Sequence, residues 1–400
     1  MDSKKLRIYI ASNVGIDYFF FLGKTLEKAG YAVNPIYSIN EIEYRALSKS
    51  NRFDKLILRY KMYVKYPFNL FIKALRANKG ATFIVTSNTF FAPFFIVFLF
   101  SWKKLKVIHL LYDLFPDAIE IAGIIKTNSL AARIIGFITK NNLSKCQSTV
   151  FLGDELKKHA EHRWGKSRSS YVIDISTDLS LYKNRYKPVP KTSKIVIHYG
   201  GQLGHLHSPN NIIECVKYIY NSDLSDYFEF NFYVSGSNSE FVSRNLSQYP
   251  IKIISAIPSS EWRVDIEKFH IGLVSLSPGG ATVCLPSKTY GMMAGSLAIL
   301  AIAPIWSDLA HLVISNDCGW VVNNSITENP QEFSTNNYLK SVQESKDKND
   351  LVIEFYNTLK SIHSNFEQLE IKRINAFRSI RNKYDIDSIG KKWVEVINQV

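Results

Sequence analysis

Short apolar runs alternate with stretches of helical period along most of the chain. In the first half the runs 6–11, 82–86, 106–111, 148–152 and 171–174 read as strands. In the second half Lys194–Tyr199, Glu229–Val234, Ile251–Ile254, Ile271–Val274, Ala298–Ile302 and Gly319–Val322 read the same way. Amphipathic stretches separate them: Phe19–Ala29, Ser129–Asn142, Asn211–Tyr220 and Ser287–Ala294, with Leu351–Gln368 and Asp387–Asn398 closing the chain in helical pattern. Strand followed by helix, repeated, predicts parallel sheets covered on both faces. The fold class is therefore α/β, as two Rossmann-like doubly wound domains facing a cleft. Ligands of such sheets bind at the carboxyl ends of the strands.

The segment Ser176–Ser193 is polar and basic and holds Pro188 and Pro190, so it reads as a linker between the two halves. A second polar stretch, Asn323–Asp350, reads as mostly loop. The first apolar run, Leu6–Ile10, is too short for a signal peptide and suits a first strand. The most apolar segment, Phe90–Trp102, falls short of the ~20 residues a spanning helix needs and carries Pro93 near its start. It reads as a buried or interfacial helix, and no membrane span is predicted.

Length and charge sharpen this outline. With 400 residues, two domains are expected. The 49 Lys and Arg against 35 Asp and Glu are unevenly placed, giving +16 over residues 1–190 and −2 over 191–400. Such asymmetry points to an anionic partner for the first half. Arg52–Lys79 holds eight Lys and Arg and one acid, with Phe53, Tyr60, Tyr63, Tyr66, Phe68 and Phe71 interleaved. That mixture suits an anionic membrane face, single-stranded nucleic acid, or a helix with a solvated basic side and its rings in the core. Lys103, Lys104 and Lys106 follow the 90–102 segment and favour the membrane. Cys146, Cys215, Cys284 and Cys318 share no CxxC spacing, which excludes a zinc knuckle or disulfide frame and suits a cytoplasmic protein.

Two stretches could carry binding chemistry. Tyr199-Gly200-Gly201-Gln202-Leu203-Gly204 follows a strand and precedes a helix, so its glycines bring backbone close to a ligand or simply make a tight turn. It does not match GxGxxG. In Leu285-Pro286-Ser287-Lys288-Thr289-Tyr290-Gly291, Ser287 reads as an N-cap and Lys288 lies in the first helical turn, where a cation opposes the helix dipole. A lysine there is explained if it answers an anion such as a diphosphate; the alternative is ordinary capping with the lysine in water. Asp113 and Asp117 follow the 106–111 strand and could supply a general base, or cap a turn before Pro116. His109 reads as a satisfied core histidine. Asp385-Ile386-Asp387 reads as capping before the last helix, and no metal is called for.

The block Ile271–Val322, with Pro286-Ser287-Lys288 and Cys318-Gly319-Trp320, resembles the donor half of GT-B glycosyltransferases, in particular the family 4-like group that builds bacterial surface polysaccharides such as colanic acid, O-antigen and other exopolysaccharides. Leu111–Asp117, with Gly123, is similar to that group's Asp-Leu-x-Pro-Asp stretch. The resemblance implies an acceptor domain over 1–175, a donor domain over 190–374, and helices 375–400 packing back on the first domain. It implies transfer from a nucleotide sugar, a UDP-sugar first among the candidates, to a lipid-linked saccharide, with no redox cofactor. The candidate donor residues are Gly201, Gln202, Gly204, Ser287, Lys288 and Tyr290; Asn13, Gly15 and Asp17 fall on the acceptor side, and Asp113 and Asp117 are the catalytic candidates. Arg59, Lys61, Lys65 and Lys73 would hold the protein on the inner face of the plasma membrane as a peripheral protein. Three departures stand out. No Glu occurs from 268 to 327, and Gly291 stands where the group has its second glutamate; Gln202, His205 and His207 occupy the loop where many members place Arg and Lys; and Tyr112 stands where the wider family has an acceptor-side His. A sugar-nucleotide epimerase of the same fold, or a non-enzymatic nucleic-acid-binding protein, are the alternatives.

Overall fold

A computed structural model describes residues 6–46, 51–182, 186, 188, 194–330 and 335–400. The chain divides into two compact units. The first comprises Met1–Ser176 with Ile386–Val400, and the second Thr177–Asp385.

The first unit is built on strands β1 (Arg7–Ala11), β3 (Ala32–Ile36), β5 (Thr82–Thr86), β6 (Lys106–Leu111), β7 (Ser148–Phe151) and β8 (Ser170–Val172), all parallel, in the order β3-β1-β5-β6-β7-β8. A small ladder pairs β2 (Val14–Gly15) with β4 (Ile39–Asn40). Strands β5 and β7 are buried along their whole length, as a sheet covered on both faces requires. One face packs through Tyr9, Phe83, Val85 and Val107 against Tyr66, Leu70, Ala74 and Ile96 of the covering helices. The strand β3 does not stand out in the sequence because Asn34 and Pro35 interrupt it. As the sheet's edge it tolerates a proline that a central strand would not.

The second unit repeats the plan: β9 (Ile195–Gln202), β10 (Phe228–Ser235), β11 (Lys252–Ser255), β12 (Ile271–Ser275), β13 (Ala298–Ile302) and β14 (Gly319–Val322), all parallel, in the order β11-β10-β9-β12-β13-β14. Its core gathers Ile197, Tyr199, Phe230, Phe232, Leu273 and Leu300 under helices Pro209–Tyr220 and Lys348–Ser364.

Several expectations need adjustment. The return to the first unit is helix Ile386–Gln399 alone, with the buried Trp393 donating to the Tyr18 hydroxyl at 2.9 Å. Residues 375–385 stay with the second unit, where the Tyr384 hydroxyl accepts from Asn316 Nδ2 at 3.1 Å and Asp385 accepts the Leu179 amide. The expected helix Leu351–Gln368 is two, Lys348–Ser364 and Phe366–Ser379, because Asn365 leaves the helical conformation and caps the second through the Gln368 amide. Within the 323–350 stretch the chain forms a helix, Thr335–Ser341, and a bridge from Ser325 to Ser345. Of the expected linker, 183–185, 187 and 189–193 lie outside the described residues. Segment 90–102 forms helix Ala92–Leu99 and a short turn, Ser101–Lys103. No described helix is long and apolar enough to cross a membrane.

Candidate active site

In a doubly wound sheet the first two connections leave a central strand in opposite directions, and a crevice opens where they part. In the second unit that point lies between β9 and β12. Their ladder consists of Ile271↔Ile197 and Gly272↔His198. Both strands then run on unpaired with each other, to Gln202 and Ser275. The Gly201 and Ser277 loops leave at this opening. His207 closes it from above, its Nδ1–H donating to the Ser275 carbonyl at 2.9 Å. The Ser277 amide donates to the Leu206 carbonyl at 2.7 Å, so the 277–281 loop is clipped to the 205–207 turn. Gly280 is required there, since a Cβ would lie 2.6 Å from the Leu206 oxygen.

Lys288 enters the same place. Its Nζ is shut off from solvent without a hydrogen-bond partner among the described residues, and sits 3.7 Å over the Tyr199 ring. A Cβ added at Gly201, which has φ +116°, would stand 3.5 Å from the lysine stem. Desolvation lowers the Lys288 pKa to about 7. His207 is held neutral by burial and by the Lys288 charge, at about 3. The Ser275 hydroxyl, fully buried, also lacks a partner. The opening thus holds a desolvated amine and a free hydroxyl with no carboxylate among the described residues to answer them, which is a site shaped for an anion.

Beside it, Trp262 donates its indole N–H to His198 Nε2 at 2.8 Å, and His198 Nδ1–H donates to the Asn231 carbonyl at 2.9 Å. The ring fills the space next to Gly200 and Gly291, where added Cβ atoms would come within 2.9 Å and 3.0 Å of it. Sequence reasoning missed Ser275, His198 and Trp262. A serine ending an apolar strand and a tryptophan in a polar helix were the available signals.

In the first unit the corresponding point lies between β1 and β5, and β6 is next to it. Asn13, buried after β1, aims an unpartnered Oδ1 into this region, with its Nδ2 at 3.5 Å from the Asn88 carbonyl. Ser87, after β5, accepts the amides of Tyr112 (2.9 Å) and Asp113 (3.1 Å) on its hydroxyl. That contact fixes the backbone of Asp113, whose carboxylate has no side-chain partner among the described residues. Burial raises the Asp113 pKa to about 6. The Tyr112 hydroxyl is buried and free, and desolvation holds it protonated. Gly15 lies in β2 with the Tyr37 ring 3.0 Å from where a Cβ would stand, so its smallness serves packing. Asp17 is exposed at the first position of helix Asp17–Lys28.

The structure separates the two acids that the sequence grouped. Asp117 is fully buried and saturated: Oδ1 accepts from His159 Nε2 and Arg163 Nη1, each at 2.7 Å, and Oδ2 from Trp164 Nε1 at 2.8 Å. Burial alone would raise its pKa, but the His159 and Arg163 contacts outweigh it and the net shift is downward. Asp117 is therefore a structural anion, not a base. Tyr290 is buried, and its ring meets Tyr384 edge-on at 5.3 Å. Ser287 caps nothing, and the helix it precedes, Lys288–Ala294, is only two turns long; Lys288 is shielded instead of solvated. Gln202 is exposed and Gly204 leads into the 205–207 turn, both at the rim of the opening. His109 is buried but not satisfied, with both ring nitrogens free and its pKa lowered to about 3 by desolvation. Lys61 is taken up by Glu43 at 2.7 Å, and Lys103 is buried with Nζ on the carbonyls of Ala74, Leu75 and Ala77, closing the end of helix Tyr66–Arg76. Arg59, Lys65 and Lys73 remain exposed. Among the described residues no His, Cys, Asp and Glu cluster could hold a metal.

This pair of switch-point sheets has known counterparts. Sucrose-phosphate synthase of Thermosynechococcus elongatus superposes with a TM-score of 0.67 at 13% identity, covering 99% of each chain. Anabaena HepE, solved in complex with UDP, superposes at 0.64 and 9% identity over 99% of this chain and 100% of that one. The chain has the GT-B fold. WaaG, a glycosyltransferase involved in lipopolysaccharide biosynthesis, shares the GT-B arrangement at 0.60 and 10% identity over 98% of this chain and 99% of WaaG. In sequence, this GT-B chain is 22% identical over 229 residues to the probable glycosyltransferase WbjE of Pseudomonas aeruginosa, a match covering 54% of this chain. The match spans about half (55%) of the length of WbjE. No family model matches the chain.

Proposed function

We propose that the chain is a glycosyltransferase that binds a nucleotide sugar on its second unit. The observation that carries this reading is the buried, unpartnered Lys288 amine at the β9–β12 opening, with the free Ser275 hydroxyl beside the Gly201 loop. A diphosphate is the natural occupant of such a site, because it gives a desolvated cation and a free hydroxyl the acceptors they lack. HepE, solved with UDP, supports UDP as the nucleotide. WaaG, involved in lipopolysaccharide biosynthesis, supports a place in surface-polysaccharide assembly, and a lipid-linked saccharide is the acceptor in this reading.

In this reading Asp113 takes the proton of the acceptor hydroxyl as its oxygen bonds to the anomeric carbon. The bond from that carbon to the diphosphate oxygen breaks, and Lys288 as ammonium stabilises the departing charge. Asn13 Oδ1 accepts from a second acceptor hydroxyl and orients it. Ser87 acts through Asp113 as a positioning residue. The driving force resides in the activated donor, so these residues need only orient, deprotonate and neutralise. Arg59, Lys65 and Lys73, all exposed, would bring the protein to an anionic membrane surface.

The test is a thermal-shift screen of the purified chain against UDP-, GDP-, dTDP- and CMP-sugars. A ligand at 100 times its Kd adds about 2.7 kcal/mol. One nucleotide should raise the midpoint in the native chain and fail to do so in Lys288→Met. A response to none of the four would reject the reading.

A further inference from the structure

Helix Leu130–Lys145 is built inside out. Its buried side carries Ala132, Gly136, Thr139 and Asn142, small or polar residues with only Leu143 as a large apolar one. Gly136 is there because the Trp164 ring lies 2.2 Å from where a Cβ would stand. Three large apolar residues face outward instead, at i, i+4 and i+7, with Leu130 75% exposed, Ile134 54% and Phe137 60%, while Ile135 and Ile138 are half-buried. An amphipathic helix of a closed core shows the reverse distribution.

This outward stripe is continuous with a second one. Phe137 meets Phe94 edge-on at 6.4 Å, and Phe94 lies 4.1 Å from Phe98. Phe98 and Leu99 are about half exposed, and Trp102 beyond them is 67% exposed. Scattered exposed apolar residues need no explanation, but a contiguous aromatic face does.

The charge around it is of one sign. Lys104, Lys126, Arg133, Lys140 and Lys145 are exposed, and no ion pair among the described residues engages them. From residue 90 to 153 the only acids are Asp113, Asp117 and Glu120. Asp113 and Asp117 lie in the strand-end region already described, and Glu120 is buried on Arg163. The outer face therefore offers rings and cations with no exposed carboxylate beyond the half-buried Asp113.

We propose that the outer face of helices Ala92–Leu99 and Leu130–Lys145 inserts into the headgroup–acyl boundary of an anionic bilayer, with the flanking lysines and Arg133 on lipid phosphates. The chemistry fits that occupant: rings enter the boundary while cations remain at the charged surface. A second copy of the chain would set one basic face against another. This goes beyond the role proposed above for Arg59, Lys65 and Lys73, since it concerns other helices and adds an apolar, salt-resistant component to an electrostatic one.

The full chain is sedimented with phosphatidylglycerol–phosphatidylcholine vesicles and with pure phosphatidylcholine vesicles, at low and high salt. Leu130→Ser/Ile134→Ser/Phe137→Ser changes only exposed positions. It should lose roughly tenfold or more of the binding that survives high salt, because three large apolar side chains no longer leave water. Arg59→Ser/Lys65→Ser/Lys73→Ser should lose the salt-sensitive part and keep the remainder. Trp102 emission, isolated by comparison with Trp102→Phe, should shift to the blue on anionic vesicles. Native-like binding by the triple apolar variant, or an unshifted Trp102, overturns the insertion even if the cationic variant no longer binds. A native chain that dimerises in solution while the triple apolar variant does not would assign the face to self-association and also overturn it. Loss of binding in the apolar variant alone leaves the insertion standing and removes the role of Arg59, Lys65 and Lys73.

Discussion

The two units are nearly the same in topology and opposite in chemistry. Each is a six-stranded parallel sheet whose switch point gathers loops at the carboxyl ends of the strands. The first unit carries 29 Lys and Arg against 15 Asp and Glu, so the whole formal excess of +14 belongs to it; the second carries 20 of each. Yet the carboxyl group without a side-chain partner at the strand ends of the basic unit is Asp113, and the amine without one at those of the neutral unit is Lys288. Burial pushes the acid up to about 6 and the base down to about 7. Net charge therefore does not reveal the ionisable group at a unit's strand ends, whereas local desolvation shifts the pH at which that group gives up its proton.

Removing the acid has the largest expected effect. Asp113→Asn should lower turnover by ~10²–10⁴ with donor affinity unchanged, as expected for a lost general base. In the native chain kcat/KM should rise with pH through about 6, as the carboxylate ionises, and the variant should lack that limb. The same limb in both would assign the base to another group.

Asp117 provides the contrast within one unit. Its carboxylate satisfies His159, Arg163 and Trp164, so Asp117→Ala leaves a buried cation short of its partner and should cost about 3–5 kcal/mol in denaturant unfolding. Asp113→Asn should instead hold or raise the unfolding midpoint at neutral pH, because it removes a desolvated charge. Equal losses in the two variants would erase the distinction drawn between these acids.

Lys288 tests the other side. Lys288→Met should weaken donor binding by about 1–3 kcal/mol, the range for a hydrogen bond to a charged group. It should also stabilise the empty protein at neutral pH. The folded pKa is below the ordinary 10.5, so this lysine's contribution to stability is present above that value and lost as pH falls through about 7. A bound diphosphate restores the ammonium, so donor binding above pH 7 should take up a proton. Calorimetry in two buffers of different ionisation heat reads that uptake, and the Met variant should show none. Proton-neutral binding in the native chain would remove the buried amine from the site.

The smallest effect belongs to the surface. Changing Arg59, Lys65 and Lys73 to Ser should cost about 1 kcal/mol of anionic-vesicle affinity per residue at low salt, and less as salt screens the attraction. Lys61 is left out because Glu43 already neutralises it. Equal vesicle affinity in the native chain and this variant at low salt would detach the first unit's charge from membrane docking.

How legible the site was differs residue by residue. Lys288 was legible because a cation in a first helical turn is unfavourable and calls for a reason. Its shielding was not, since that depends on Tyr199 and the Gly201 loop arriving from another strand. Asp113 and Asp117 looked alike from their shared stretch after β6. They part because Asp117 faces His159, Arg163 and Trp164, three residues more than forty positions away, while Asp113 meets only the Ser87 hydroxyl through its backbone. Tyr290 carried the right motif but turns to Tyr384 inside the unit.

The repeated strand-then-helix order, and with it two parallel sheets, can be read from the chain alone, because side-chain period and burial on both faces are local properties of each segment. So can the partition of charge, and the basic and aromatic character of Arg52–Lys79. Only the tertiary structure decided which ionisable groups go without partners, which lysines are spent on Glu43 or on helix carbonyls, and that helix Leu130–Lys145 turns its large residues outward. The physical reason is that partnership and exposure depend on what packs against a side chain from distant parts of the chain. Gly136 shows it most directly: whether its helix buries a small side or a large one is set by Trp164, which reaches it from the next helix.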